Sequence, residues 1–176
     1  MQRCLSFCEE GEEFMIEMIK SRRSCRSYTE EKVKEEDLKE IVECGLLAPS
    51  GMNTQGIQLC VITDEEVLAQ LEKLMGRDFF YHAPALIVVY SDPDNKYAAY
   101  DGSCAMAQMY LAAHALGLGS CWINQLKDVT DDPKFEPLFD KLSLKGKIIV
   151  GALAVGHANK APKERQIKEG RAHWFK

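Results

Sequence analysis

Three arginines and a serine stand close together in this sequence, at Arg22, Arg23, Ser24 and Arg26. Guanidinium groups form charge-assisted and often bidentate hydrogen bonds to phosphate oxygens. Like charges at this spacing repel one another unless an anion neutralises them. The segment therefore predicts an anion site suited to a phosphate, and a solvated basic turn is the alternative that it leaves open.

A second polar segment covers residues 48–56, between a predicted helix and a predicted strand. It offers Ser50, Asn53, Thr54 and Gln55 together with two glycines. These directional donors and acceptors could recognise the edge of a flat heterocycle. The same residue types also cap their own backbone in ordinary polar turns. Both interpretations remain open for this segment by itself.

Two further segments carry candidate binding residues. Residues 117–125 read GLGSCWINQ, in which the GxG is only a weak dinucleotide signal, and neither GxGxxG nor GxxxxGK[ST] occurs in the chain. Residues 161–165 (APKER) follow the last predicted strand and add Lys163 and Arg165. Alone, these last residues predict an exposed charged tail. The absence of both glycine-rich motifs from the chain disfavours a Rossmann-type site.

Side chains for nucleophilic or metal-dependent catalysis are not grouped in the sequence. The four histidines are scattered and no HExxH motif occurs. His114 lies in an apolar helix, where we predict a hydrogen-bonded core residue. The seven cysteines form no CxxC motif, and Cys4 and Cys8 lack a second pair to complete a zinc site. We expect free thiols and no metal site.

The overall composition predicts a single intracellular domain. The chain has 176 residues, of which 46% are hydrophobic, and a net charge of -5, which suits one domain with its own core. The acidic balance disfavours non-specific nucleic-acid binding. No apolar run approaches the roughly 18 residues that span a membrane, and the acidic N-terminal segment does not fit a signal peptide. We expect a cytoplasmic protein without nucleic-acid or membrane partners.

Hydrophobic periodicity predicts the elements that position these segments. An irregular extension is predicted at residues 1–13, followed by a single domain at residues 14–176. Asp64 is the predicted cap of the third helix. The irregular alternation of elements predicts a layered helix–sheet–helix domain without fixing the strand order. The predicted helices are residues 14–20, 37–47, 65–75 and 97–116, and the predicted strands are residues 57–63, 85–90, 120–123 and 148–155.

The four segments have the order and spacing of the nitroreductase family, which the chain resembles over about residues 14–165. The motifs that carry the resemblance are RRSCRSY at 22–28, APSGMNTQ at 48–55, APALIVV at 83–89, GLGSCWI at 117–123, Gly156-His157 and PKER at 162–165. The chain departs from the family pattern at Asn124-Gln125, where Gly-Gly or Glu-Gly is common. It also departs at Gly56, where proline usually follows the glutamine.

The resemblance implies an α+β fold, namely a three-layer α/β/α domain with a mixed, mainly antiparallel central sheet, in a domain-interlocked homodimer. It implies an FMN-dependent oxidoreductase that transfers reducing equivalents from NADH or NADPH, by a ping-pong mechanism, to nitroaromatics, quinones and activated enones. Flavin N5 would carry the hydride, so no catalytic side chain is expected. Two alternatives stay open: a flavin- or nucleotide-binding redox sensor without turnover, and a reductive dehalogenase on the same fold.

The resemblance also implies the FMN-binding residues. One subunit would hold the phosphate and ribityl chain of FMN and place Arg26 at the pyrimidine end of the flavin. The end of the predicted strand at residues 120–123 would line one face of the flavin ring. The partner subunit would contribute residues 50–55. The implied set is Arg22, Arg23, Ser24, Arg26, Ser50, Gly51, Asn53, Gln55, Cys121, Trp122, Ile123, Asn124, Lys163 and Arg165.

Overall fold

The computed structural model describes residues 9–161 and 163–176, with side chains from residue 15 onward. Within that part of the chain, none of the helices combines the length and the apolar character needed to cross a membrane. The helices are α1 (Glu9–Ser21), α2 (Glu35–Leu46), α3 (Glu65–Met75), α4 (Ala98–Ala115) and α5 (Glu136–Lys141), and the strands are β1 (Ile57–Ile62), β2 (Ala85–Ser91), β3 (Gly119–Ile123) and β4 (Ile148–Gly156).

The four strands form one sheet in the order β1-β2-β4-β3. All three pairings between these strands are antiparallel. A parallel component is present in the isolated bridge between Ser24 and Ser120, on the outer side of β3. The predicted, mainly antiparallel character of the sheet is therefore confirmed.

Helices cover both faces of the sheet. Strand side chains alternate between faces, so β2 sends Leu86 and Val88 into one apolar cluster and Ile87 and Val89 into another. The first cluster is completed by α3 and α5, and the second by α2 and α4. The predicted three-layer arrangement is confirmed, and β2 reads as a continuous apolar run because both of its faces are buried.

Most element boundaries agree with the predictions to within one residue, and there are three larger differences. α1 begins at Glu9, so residues 9–13 of the predicted irregular extension are helical, while residues 1–8 lie outside the described residues. Periodicity missed this turn because it consists mainly of glutamates, which give no apolar pattern. α2 begins two residues early, at Glu35, for the same reason. α5 was not predicted because it has only six residues.

The predicted cap of α3 is confirmed, and it gives a test of local stability. The Asp64 carboxylate accepts hydrogen bonds from the backbone N–H groups of Glu66 and Val67. Replacing Asp64 with alanine should lower the free energy of unfolding by about 1 kcal/mol, measured by urea denaturation. Asp64→Asn keeps an acceptor oxygen and should lose much less. Equal losses in the two variants would contradict the capping role.

Candidate functional site

The first and last motifs of the sequence meet in one cleft. Residues 22–27, 160–161 and 163–165 line a cavity of about 540 Å³. Because the protein as a whole carries a net charge of -5, this concentration of positive charge is local and suits a small anion. The charged residues that line the cleft are Arg22, Arg23, Arg26, Lys160, Lys163 and Arg165, with Glu164 as the acidic member.

The edge of β3 fixes the arginine segment in place. After α1 the chain runs beside β3, where the Cys25 N–H donates to the Ser120 carbonyl oxygen at 2.8 Å. Gly119 allows this close approach, since a Cβ atom at that position would lie 2.8 Å from Cys25 Sγ. The glycine of the GLGS motif therefore serves the arginine motif directly. Neither segment alone reveals this connection.

Two buried guanidinium nitrogens in the cleft lack acceptors. Arg23 Nη1 donates to the backbone oxygens of Lys20 and Arg22, at 2.6 and 2.8 Å, and so also helps to terminate α1. Arg22 Nη1 and Arg23 Nε are buried without a hydrogen-bond partner among the described residues. A buried, unsatisfied cationic N–H group is costly. A bound anion such as a phosphate would supply the missing acceptors, so the residues present fit that group.

Tyr110 of α4 joins the arginine segment to β3, and no sequence motif marked it. Its hydroxyl lies 3.3 Å from Ser24 Oγ and accepts a hydrogen bond from the Trp122 N–H. The Arg22 guanidinium lies 4.6 Å above the centre of its ring, which is cation–π geometry. The only signal in the sequence was an aromatic hydroxyl on a helix otherwise rich in small residues.

Arg26 lies at the exposed end of the same segment. Its pKa is raised, first by its Coulombic interaction with Cys121 and then by a hydrogen bond to Tyr81, so it stays a cation. Tyr81 has a left-handed backbone with φ of 62°, a conformation that costs free energy and often marks functional sites. The next residue, His82, has its Nδ1 2.9 Å from Glu72 Oε1 and its Nε2 3.5 Å from Asp78 Oδ2. These two contacts hold the turn.

The end of β3 presents mainly backbone to any ligand. The side chains of Cys121 and Ile123 are buried in the core, so these two residues could contact a ligand only through their main chain. Trp122 is half-buried against Gly151, and its indole Nε1 is buried without a partner in the described structure. Asn124 is exposed just beyond the strand.

The polar loop at residues 50–55 is anchored by a buried carboxylate that sequence reasoning missed. The Gly51 N–H donates to Asp101 Oδ1 at 2.9 Å, and the Gln55 N–H donates to Ser50 Oγ at 3.0 Å. The φ angles of Met52, Asn53 and Gln55 are 57°, 55° and 51°, which is unfavourable for residues other than glycine. Such strain persists only where the surroundings hold it.

The loop and the cleft lie apart within one chain. The loop is tied to Asp101 in the first turn of α4, whereas the cleft reaches the same helix at Tyr110. At 1.5 Å per residue these positions are about 13 Å apart along the helix axis. None of the loop residues lines the cleft. One chain therefore does not bring the two predicted halves of the site together.

Two predictions about individual residues have clear outcomes. His114 is not a core residue: it is half-buried at the surface, and its Nε2 lies 2.9 Å from Ser21 Oγ. Partial burial, and then the positive charges of Arg22 and Arg23, lower the pKa of His114. The cysteines from Cys25 onward are free thiols, as predicted, whereas Cys4 and Cys8 lie outside the described residues.

Comparison with known proteins identifies the family. The sequence profile of the nitroreductase family matches residues 19–77 and 72–157. A crystal structure of a Bacteroides fragilis nitroreductase with bound FMN superposes with a TM-score of 0.86 at 32% identity, covering 92% of this chain and 98% of that one.

Two curated relatives point the same way. An Archaeoglobus fulgidus protein, provisionally named an NADH dehydrogenase/NAD(P)H nitroreductase, is 36% identical over 61% of this chain and 66% of its own length. An FMN reductase [NAD(P)H] of Bacillus subtilis is 27% identical over 89% of this chain and 70% of its own length. The alignment thus spans slightly less than two thirds of the archaeal relative. On the profile match and the shared fold, this chain belongs to the nitroreductase family.

Proposed function

We propose that this protein is an FMN-dependent oxidoreductase that passes reducing equivalents from NADH or NADPH to small, electron-poor acceptors. The observation that carries the proposal is the cationic cleft, in which Arg22 Nη1 and Arg23 Nε are buried without acceptors. The FMN phosphate brings nearly two negative charges and oxygens that accept such hydrogen bonds. The FMN bound in the related Bacteroides structure supports this choice of anion.

The residues of the cleft would each bind a different part of the cofactor. Arg22 and Ser24 would hold the phosphate and ribityl chain, with Lys163 and Arg165 closing the anion site from the C-terminal segment. Arg26 would place a permanent cation at the pyrimidine end of the flavin, where negative charge accumulates on reduction. When bound, FMN supplies the hydride chemistry. NAD(P)H and the acceptor would use the same open site in turn, which is a ping-pong order.

We propose that the active form is a homodimer, because the loop at residues 50–55 lies apart from the cleft of its own chain. Each loop would complete the site of the partner. Large apolar side chains that are exposed on this protein would be available for such an interface. They include Met15, Ile16, Ile19, Leu47, Met52, Trp174 and Phe175.

A cytoplasmic location is part of the proposal. The described cysteines are free thiols, which suits a reducing compartment because disulfides form mainly in oxidising ones.

The test of the proposed function is made on the purified protein. We expect a yellow dimer that releases FMN, not FAD, on denaturation, and whose flavin absorbance is bleached by NADH or NADPH and restored by a quinone. A colourless monomer that takes up no FMN on reconstitution would overturn the proposal. Bound FMN that NAD(P)H cannot reduce would favour the redox-sensor alternative instead.

The range of acceptors gives a further prediction. The connections on either side of β2, from Met75 to Ala85 and from Ser91 to Ala98, are short and ordinary in length, so neither supplies a large cap. An open site with few buried polar groups discriminates weakly between substrates. Reduction rates in a panel of nitroaromatics and quinones should follow reduction potential. One acceptor preferred by orders of magnitude at equal potential, as with a dehalogenase substrate, would contradict this.

A further inference from the structure

Tyr110 occupies a central position beneath the cationic cleft. Its hydroxyl contacts the backbone of β3 through the Trp122 N–H and the arginine segment through Ser24 Oγ. Its ring lies under the Arg22 guanidinium. It is half-buried on α4, and neither Tyr110 nor any other residue of that helix belongs to the cleft lining. The arginine segment, β3 and α4 therefore meet at this single side chain.

The direction of the hydrogen bonds at Tyr110 follows from its donors and acceptors. A tyrosine hydroxyl has one proton to donate and can also accept. The Trp122 N–H can only donate, so Tyr110 Oη accepts there and its own proton is available for Ser24 Oγ. Burial raises the pKa of Tyr110, although its bonds to Ser24 and Trp122 act in the opposite direction. The phenol therefore keeps this proton at neutral pH.

The consequence for Ser24 is an oriented hydroxyl. Once Ser24 Oγ accepts from Tyr110, its own proton can be donated elsewhere, and Ser24 lies in the lining of the cleft. Each hydrogen bond in such a chain polarises the next. The Ser24 hydroxyl that these linked hydrogen bonds present to the cleft is thus a stronger donor than an isolated serine hydroxyl.

We propose that Tyr110 is a positioning residue for phosphate recognition, which directs the Ser24 hydroxyl and the Arg22 guanidinium toward the phosphate of the bound ligand. The inference rests on the proposed function. It concerns the ester phosphate of FMN and not the flavin ring. Tyr110 should therefore affect the preference for FMN over riboflavin, which lacks the phosphate.

The test compares FMN and riboflavin binding to the apo forms of wild-type, Tyr110→Phe and Tyr100→Phe proteins, by quenching of flavin fluorescence. Tyr110→Phe should weaken FMN binding about ten-fold, the size expected if Ser24 loses its hydrogen bond to the charged phosphate, and riboflavin binding much less. Tyr100 is exposed on the same helix, so Tyr100→Phe is the matched control and should change neither. A merely structural role would weaken both ligands equally.

A double-mutant cycle tests whether Tyr110 acts through Ser24. In a Ser24→Ala background, Tyr110→Phe should cost much less FMN affinity than in the wild type, because coupled residues are not additive. Additive losses, or equal losses of FMN and riboflavin, would overturn the inference. If Tyr110→Phe fails to fold, a fluorotyrosine at position 110, which is a stronger donor, should raise the FMN preference, and an unchanged preference would overturn it. Wild-type protein that binds no FMN would instead overturn the proposed function.

Discussion

Replacing Arg22 with alanine is expected to weaken FMN binding between ten-fold and 100-fold. Arg22 is half-buried, and its Nη1 is without a partner in the described structure. Losing one charge-assisted hydrogen bond costs about 1.5–3 kcal/mol, which corresponds to about ten-fold or more in the dissociation constant. Riboflavin carries no phosphate, so its binding should change far less. Fluorescence titration of the apoprotein with each flavin measures both constants.

Matched variants make this result specific to the cleft. Arg77→Ala removes an exposed arginine outside the cleft and should leave FMN binding unchanged. Lys163→Ala and Arg165→Ala should each weaken FMN binding less than Arg22→Ala, because their exposed side chains are better screened by solvent and salt. Equal losses of FMN and riboflavin in Arg22→Ala would show that Arg22 does not contact the phosphate.

Replacing Asp101 with alanine is expected to weaken FMN binding by about ten-fold, although we place Asp101 outside contact with the cofactor. Asp101 Oδ1 accepts from the Gly51 N–H and so holds a loop with three left-handed residues other than glycine. Without this anchor the loop should relax toward favoured backbone angles, and its side chains would lose their alignment. Both FMN and riboflavin should be affected, unlike in Arg22→Ala, because the loop is proposed to contact the flavin.

The control for Asp101 is Asp101→Asn, which keeps an acceptor oxygen for the Gly51 N–H and should retain more FMN affinity than the alanine variant. Circular dichroism and thermal unfolding confirm that each variant is folded. Unchanged FMN and riboflavin affinities in Asp101→Ala would mean that the loop does not depend on this carboxylate, or that it lies outside the site.

Much of the fold could be predicted from the sequence because the main elements carry strong local patterns. β2 is a continuous apolar run, and α3 has both a cap residue at Asp64 and a regular apolar face. The order β1-β2-β4-β3 could not be predicted, because strand pairing depends on contacts between distant residues that periodicity does not encode. The first turn of α1 was missed since its run of glutamates gives no apolar pattern.

The candidate site could be predicted where several residues of one chemical type stand close together in the sequence, as in the two cationic segments. Their meeting in one cleft was implied only by the family resemblance. Tyr110 and Asp101 were missed because each acts through a single contact with a segment far away in the chain. A tyrosine or an aspartate on a helix gives no sign of such a contact. The buried side chains of Cys121 and Ile123 likewise became evident only with the register of β3.

The central claim is that each FMN site combines the cleft of one subunit with the loop of its partner. Mixing Arg22→Ala and Asp101→Ala chains tests it most directly. In a mixed dimer the Asp101→Ala chain keeps an intact cleft and the Arg22→Ala chain an intact loop, so one site of the two is native. Unfolding the chains together and refolding them should give about a quarter of all sites with wild-type FMN affinity if chains pair at random in a two-fold dimer. A refolded mixture that binds FMN no better than the average of its two parents would contradict the claim and place the whole site within one chain.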